Sequence, residues 1–248
     1  MPIAEHRRDW EDLSRLDPFW AILSDPSKQF GGWDREEFLE RGTEDVARVM
    51  ERAAALGHPH GRESALDFGC GAGRLTRALS GHFAACTGVD ISEPMIDLAR
   101  ELNADREGCR FVVNTQPDLG LFEDASFDLV LTEIVLQHLP GRTAILTYVR
   151  EFVRVLRPGG LLEFQLPSAI PPIRRLQPRP RAYGLLRSLG VPADVLYRRL
   201  RLQPIRMRHV PQDVVRAELE AAGAHVLAVD VVGARGGVQS ATYFATRD

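Results

Sequence analysis

Residues 65–75 read Ala65-Leu66-Asp67-Phe68-Gly69-Cys70-Gly71-Ala72-Gly73-Arg74-Leu75. A short strand-like run ends in Asp67 and Phe68, three glycines follow at alternate positions, and a helical pattern starts at Leu75. Strand, glycine turn and helix in that order form a cradle for nucleotide-like ligands, because glycine lets the backbone approach a ligand closely. A nucleoside-triphosphate loop requires GxxxxGK[ST]. No lysine follows Gly69 at that place, and Lys28 is the only lysine in the chain. A dinucleotide loop reads GxGxxG, whereas the spacing here is Gly69-x-Gly71-x-Gly73. Asp67, two residues before the first glycine, is an unfavourable neighbour for a pyrophosphate and a favourable one for an ammonium group.

A second acid narrows the choice. Asp90 lies in GVDISEPMI, at the end of the next apolar run. A carboxylate at the tip of a second strand accepts hydrogen bonds from ribose hydroxyls. An ammonium partner at Asp67, a ribose partner at Asp90 and no phosphate-binding lysine describe S-adenosylmethionine better than a nicotinamide dinucleotide.

Outward from this turn the chain alternates strand and helix. Strands are expected over 65–68, 84–89, 111–113, 127–132 and 161–166. Helices are expected over 94–102, with Ser92 as N-cap, and over 144–156, stopped by Pro158-Gly159-Gly160. Such alternation implies a doubly wound parallel sheet. A helix near 211–222 is then followed by two successive strands, 226–232 and 241–246, so the last should run antiparallel. Residues 1–60 read as helical, with Phe38, Leu39, Val46, Val49 and Met50 at helical spacing. Between about 168 and 208 a proline-opened segment fits no core element and carries a helical stretch near 183–202. It is rich in arginine, with Asp194 its single acid. A connection this long is usually a cap or lid.

The 248 residues suffice for one sizeable α/β domain, and a net charge of −3 points to no polyanion partner. No apolar run is long enough to span a bilayer and no signal-peptide pattern opens the sequence, so a cytoplasmic protein is expected. Cys70, Cys86 and Cys109 lack CxxC spacing and read as free thiols.

Four segments in order, ALDFGCGAGRL, GVDISEPMI, FDLVLTEIVLQHL and LRPGGLLEFQLP, make the chain resemble the class I S-adenosylmethionine-dependent methyltransferases over roughly residues 60 to 248. The resemblance implies a Rossmann-like seven-stranded sheet of order 3-2-1-4-5-7-6 with strand 7 antiparallel. It implies an N-terminal helical lid over 1–60, and a methyltransferase domain over 61–248 with a cap inserted at about 168–208. It implies S-adenosyl-L-methionine as cofactor, leaving as S-adenosyl-L-homocysteine, with no metal. Gly69, Gly71 and Gly73 would approach its methionine part, Asp67 its amino group and Asp90 the ribose. Ile91 and Met95 would flank the adenine. The adenine amino group would be met from the segment after strand three, where Asn114, Thr115, Gln116 and Asp118 all remain open.

Glu133, ending strand four, would lie near the cofactor and the methyl group. His138, in IVLQHLP, is the expected general base, since histidine titrates near neutrality; packing within its own helix is the plainer reading. The aromatic set Trp10, Phe19, Trp20, Phe30 and Trp33 forms either one wall of the substrate pocket or the seat of the N-terminal helix. Gly31-Gly32 is either a lid hinge or an ordinary turn. The arginine-rich insert is a solvated cap, or it attracts an anionic substrate, a nucleic acid or an anionic membrane surface. The reading is O- or N-methylation of a small molecule, a secondary metabolite, by a monomer or homodimer with no nucleic-acid partner and no membrane insertion. The alternatives are a peptide, tRNA or lipid-linked glycan substrate, a cofactor-binding protein without catalysis, and an NAD(P)-dependent oxidoreductase.

Overall fold

The computed structural model describes residues 3–234 and 236–248. The strands are β1 Ser64–Phe68, β2 Ala85–Asp90, β3 Cys109–Val113, β4 Phe127–Thr132, β5 Leu156–Ala169, β6 Ala224–Ala234 and β7 Val238–Arg247. They form one sheet of order β3-β2-β1-β4-β5-β7-β6. The β1–β2, β1–β4, β2–β3 and β4–β5 pairs are parallel, and β7 is antiparallel to both β5 and β6. The order is the one the resemblance implies, and the reversed last strand is the one expected from two successive strands at the end of the sequence.

The central strands read as apolar runs because both faces of a parallel sheet are covered. All six residues of β4 are buried. Alternate side chains serve two cores. Leu66, Val130, Leu162, Phe164 and Tyr243 pack with α6 (Arg142–Val155) and α9 (Gln212–Ala221). Ala65, Leu129, Leu131, Leu161 and Phe244 pack with α3 (Arg35–Leu56) and α4 (Arg74–Leu79). The remaining helix of this layer, α5 (Glu93–Leu102), starts at Ser92, whose hydroxyl accepts from the Met95 amide.

Two expectations need correction. Pro158-Gly159-Gly160 does not stop the helix. α6 ends at Val155, and β5 begins at Leu156 and carries these residues at a shift of register against Phe127 and Leu129. Proline is tolerated in a strand at such an irregularity, and Gly159, with φ of 71°, supplies the turn that re-aims the strand. The 183–202 stretch is also not one helix. α8 (Pro178–Ser188) ends before Gly190, which has φ of 89°, and a single π turn follows at Val195–Arg199. Gly190 and Pro192 interrupt the pattern.

The N-terminal helices α1 (Ile3–Leu16) and α2 (Pro18–Ile22) are bound to this cap, which also holds α7 (Pro172–Arg175). Arg187 Nε donates to Asp12 Oδ2 at 2.9 Å. The Tyr197 hydroxyl donates to Asp17 Oδ2 at 2.8 Å, and the same oxygen accepts from the Phe30 and Gly31 amides. Gly31 thus sits in a tied turn. Several cap arginines are engaged rather than free: Arg175 donates to the Ile170 carbonyl, Arg208 to that of Leu139, and Arg206 pairs with Glu5.

One carboxylate fastens the lower end of the sheet. Asp128 is 5% exposed. Its Oδ2 accepts from the Glu63 and Ser64 amides, each at 2.8 Å, and from Arg157 at 3.0 Å. Asp128→Ala removes the acceptor of two part-buried amide hydrogen bonds and of the Arg157 guanidinium. It should lower the unfolding free energy by about 2–4 kcal/mol in urea titration; a loss below about 0.5 kcal/mol, the range of ordinary surface changes, would contradict this role.

Candidate functional site

The strand order reverses between β1 and β4. α4 leaves β1 toward one face and α6 follows β4 on the other, so a crevice opens above the carboxyl ends of these strands. A cavity fills it. Gly69 and Gly71 border it from the β1 turn, Asp90, Ile91 and Met95 from the end of β2 and α5, and Asn114 from beyond β3. Glu133, Ile134, Val135 and His138 close it from the β4 side, and Ile3, His6, Trp10 and Ile22 roof it.

The glycine turn is built for close approach. Gly69 has φ of 75° and Gly71 of 51°. A Cβ on Gly69 would run into Val135, and one on Gly71 into Ile22. Gly73, with φ of 80°, does not border the cavity; it admits Phe111 and Asn103 against the turn.

Asp90 holds the turn from the β2 side. Its Oδ2 accepts from the Gly71 amide at 3.0 Å and its Oδ1 from the Ser92 amide at 2.8 Å. Burial raises its pKa, and the Ser92, Gly71 and Ile91 amides oppose that rise. A carboxylate has about four lone-pair sites, so capacity remains for two hydroxyls.

Asp67 lies off the cavity. It is 1% exposed, beneath the turn, and accepts from the Thr76 hydroxyl at 2.6 Å. Burial pushes its pKa up to about 6, opposed by the Thr76 bond and by Arg74. Beyond β3, Asn114 donates to the Asp118 carbonyl at 2.7 Å and accepts from the Gln116 amide at 3.0 Å. Thr115 does not border the cavity. Tyr148, which the sequence did not single out, does, with its hydroxyl donating to the Gln116 carbonyl at 2.9 Å.

The β4 end is strained. Ile134 has φ of 61°, a region that costs a β-branched residue about 1–3 kcal/mol. Glu133 beside it titrates near 6: burial raises its pKa first and Asp45 next, while Arg74, at 3.9 Å, pulls it down. His138 is buried. Its Nδ1 lies 2.6 Å from the Arg206 carbonyl oxygen. A carbonyl only accepts, so Nδ1 carries the proton. Burial lowers the ring's pKa to about 4 despite that bond. His6 is a second buried histidine, also lowered to about 4, chiefly by burial and then by His138. Trp10 lies between them, with ring centroids at 6.2 Å from His6 and 5.5 Å from His138. The sequence reading passed over His6; its only signal was the i, i+4 spacing to Trp10 on one helix face.

A second, open cleft of about 1050 Å³ adjoins the first. Ile22, Glu133, Ile134 and His138 border both. Trp20 and Trp33 line the cleft, Trp10 roofs the inner cavity, and Phe19 stacks on Phe38 at 4.3 Å elsewhere. The aromatic set therefore does not form one wall. Arg179 and Arg201 enter the cleft from the cap with no acid paired to either among the described residues.

The inner cavity suits a nucleoside bearing positive charge. Arg74 is its one bordering cation among the described residues, since both histidines are neutral, and Arg74 is already paired with Asp45 and close to Glu133. Nothing there is left over to neutralise a pyrophosphate. Asp90 offers oxygen to hydroxyls, Ile91 and Met95 offer apolar surface to a base, and the glycine turn leaves room where a Cβ would intrude.

Residues 66–164 match a family profile described as a methyltransferase domain. The chain is 39% identical over 101 residues to a demethylmenaquinone methyltransferase of Staphylococcus aureus, covering 40% of this chain and 40% of that protein. A malonyl-[acyl-carrier protein] O-methyltransferase of Serratia marcescens is 30% identical over 149 residues, 60% of this chain and 53% of that one. The chain thus spans 40% and 53% of the two curated relatives. In fold it is similar to magnesium protoporphyrin IX methyltransferase from Synechocystis PCC 6803, solved with bound S-adenosylhomocysteine. That structure has a TM-score of 0.61 and 21% identity, over 97% of each chain. No described helix is long and apolar enough to cross a membrane.

The glycine turn should tolerate no side chain at Gly71. Gly71→Ala should lower stability by about 1–3 kcal/mol, the cost of a strained backbone position. Gly233→Ala, where a Cβ meets nothing within 4 Å, should change it by less than about 0.5 kcal/mol. Equal effects in thermal unfolding would contradict the close approach of Ile22.

Proposed function

We propose that this chain is an S-adenosylmethionine-dependent methyltransferase that transfers a methyl group to an oxygen or nitrogen atom of a small molecule. The observation that carries the reading is the shared wall: the inner cavity bordered by the glycine turn and Asp90 meets an open cleft at Ile22, Glu133, Ile134 and His138. S-adenosylmethionine in the inner cavity supplies an electrophilic methyl group on a sulfonium centre. Asp90 would take the ribose hydroxyls, Ile91 and Met95 the faces of the adenine, Asn114 its edge, and Gly69 and Gly71 the methionine part. Asp67, which lies off the cavity beneath the turn and is bonded to Thr76, would reach the amino group only through water.

The cleft would bring the acceptor to the shared wall. Positioning there supplies much of the rate. A protonated acceptor must also lose its proton. Glu133 is suited to take it: it borders both cavities and titrates near 6, close to neutral working pH. His138 is less suited, because burial has lowered its basicity to about 4 and its Nδ1 proton is committed to the Arg206 carbonyl. This reverses the weight the sequence alone gives to the two residues.

The names of the two relatives support a small-molecule substrate type. We take the substrate to belong to secondary metabolism, with anionic molecules included because Arg179 and Arg201 border the cleft with no acid paired to either among the described residues. We take residues 1–60 with the 168–208 cap as the lid. The protein would work in the cytoplasm as a monomer or homodimer, without nucleic acid.

Calorimetric titration with S-adenosylhomocysteine tests the cofactor. Micromolar-type affinity, about −8 kcal/mol, should fall at least about tenfold in Asp90→Ala, and NADH should not bind; NADH binding in place of S-adenosylhomocysteine would overturn the reading. The pH dependence tests the base. Glu133 must be ionised to accept a proton, so kcat/KM should rise with pH through about 6. Glu133→Gln should remove that limb, whereas a limb at about 4 that vanishes in a His138 variant would return the role to the histidine.

A further inference from the structure

Large apolar side chains scattered singly over a surface are ordinary. The cap concentrates them. Twelve stand exposed among the described residues, and six of these belong to this one segment: Ile173, Leu176, Leu185, Leu189, Leu200 and Met207. The first five are more than half exposed. On α8, Tyr183 is buried and Arg187 is bonded to Asp12, which fixes the inward face. Arg181, Leu185 and Leu189 follow at four-residue spacing on the opposite side and form an outward ridge. Ile173 and Leu176 lie at and just after α7. The Gln177 side chain ties the α7–α8 junction to Met207, donating to its carbonyl at 2.6 Å and accepting from its amide at 3.0 Å. α8 also packs against the π turn, where Leu196 and Tyr197 are buried and Leu200 is exposed. The six apolar side chains therefore stand on adjoining elements.

The same surface is cationic. Residues 170–208 hold ten arginines and one acid, Asp194, in a chain with 31 basic and 34 acidic residues. The rest of the chain is therefore strongly acidic. Arg175, Arg187, Arg206 and Arg208 are engaged within the protein. Arg181, Arg198 and Arg199 are exposed, with no acid paired to them among the described residues. A partner must answer both features. A phosphate-rich polymer would neutralise the arginines and leave Leu185 and Leu189 in water. A purely apolar partner would strip water from the guanidinium groups without compensation. An anionic bilayer offers acyl chains to the leucines and phosphates to the arginines at one boundary. Its charge also repels the acidic remainder of the chain, which turns the cap toward it.

We infer that the cap is a docking surface for an anionic lipid bilayer: the ridge of Leu185 and Leu189, with Ile173, Leu176 and Leu200, enters the headgroup boundary while Arg181, Arg198 and Arg199 bind lipid phosphates. The cap lies on the membrane and spans nothing. Arg179, Arg201 and Met207 of the same cap border the outer cleft, so docking brings that cleft to the lipid surface. The cofactor cavity takes no part in the docking.

The test is flotation of the full chain with vesicles of phosphatidylcholine alone, or of phosphatidylcholine mixed with phosphatidylglycerol. At about 0.1 M salt, partition onto the anionic vesicles should exceed that onto the neutral ones at least about tenfold. It should fall at least about tenfold at about 1 M salt, where the screening length is about 3 Å. The double variant Leu185→Ser, Leu189→Ser keeps every charge and should lose at least about tenfold. The triple variant Arg181→Gln, Arg198→Gln, Arg199→Gln keeps every leucine and should lose as much. All five side chains are exposed, so thermal unfolding should be unchanged in both variants, and the wild-type vesicle and salt series needs neither. No binding to anionic vesicles, equal binding to both vesicle types, or binding insensitive to salt would overturn the inference. So would arginine-dependent binding that the serine variant retains, which would assign the surface to a polyanion such as RNA. S-adenosylhomocysteine titration of the same samples keeps the two readings apart: its failure would defeat the cofactor reading and leave the docking result standing.

Discussion

The strand reversal between β1 and β4 is the constraint on which the site depends. Connections leaving neighbouring strands on opposite faces cannot cover the ends they leave behind. The crevice collects whatever follows those strands: the glycine turn after β1, Asp90 from adjacent β2, and Glu133 and the Gln137–His138 turn after β4. Asp90 then couples two of these by accepting the Gly71 amide. A ligand bound here is gripped by three elements whose mutual positions the sheet has already fixed, so little ordering remains to be paid at binding.

Much of this was legible because it is local. A glycine turn needs glycines, a strand-end acid follows an apolar run, and β/α alternation fixes the class of sheet. What escaped depends on direction or on distant partners. Asp67 shares its parity in β1 with Ala65, which packs toward α3 and α4, so its carboxylate points beneath α4 to Thr76 instead of into the crevice. Adjacency to the glycines gave no hint of that face. Pro158-Gly159-Gly160 reads as a stop in any sequence, and only the pairing of β5 with β4 makes it an irregular strand. His6, Trp10 and the cap arginines acquire meaning only when α1 meets the cap, as in the Asp12–Arg187 pair, and no local pattern encodes such a meeting.

Burial ties these elements to the chemistry. The same roof that brings Ile22 over Gly71 and Trp10 beside His138 removes water from the acids and histidines beneath it. Desolvation favours neutral forms. It raises Glu133 and Asp67 toward neutrality and drives His6 and His138 well below it. The two histidines are therefore neutral at physiological pH, while burial raises Glu133 toward neutrality, as its proposed role as base requires. A sequence offers histidine as the neutral-pH base by default; the folded environment transfers that property to a carboxylate.

The most direct measurement is a crystal structure of the full chain with S-adenosylhomocysteine bound. The account predicts the ribose hydroxyls on Asp90, the adenine between Ile91 and Met95, and the sulfur facing the wall formed by Glu133, Ile134 and His138, with the Gln137 side of the cleft open beyond it. A ligand lying in the outer cleft, or one whose sulfur faces away from that wall, would contradict the claim that the two cavities meet at the point of transfer.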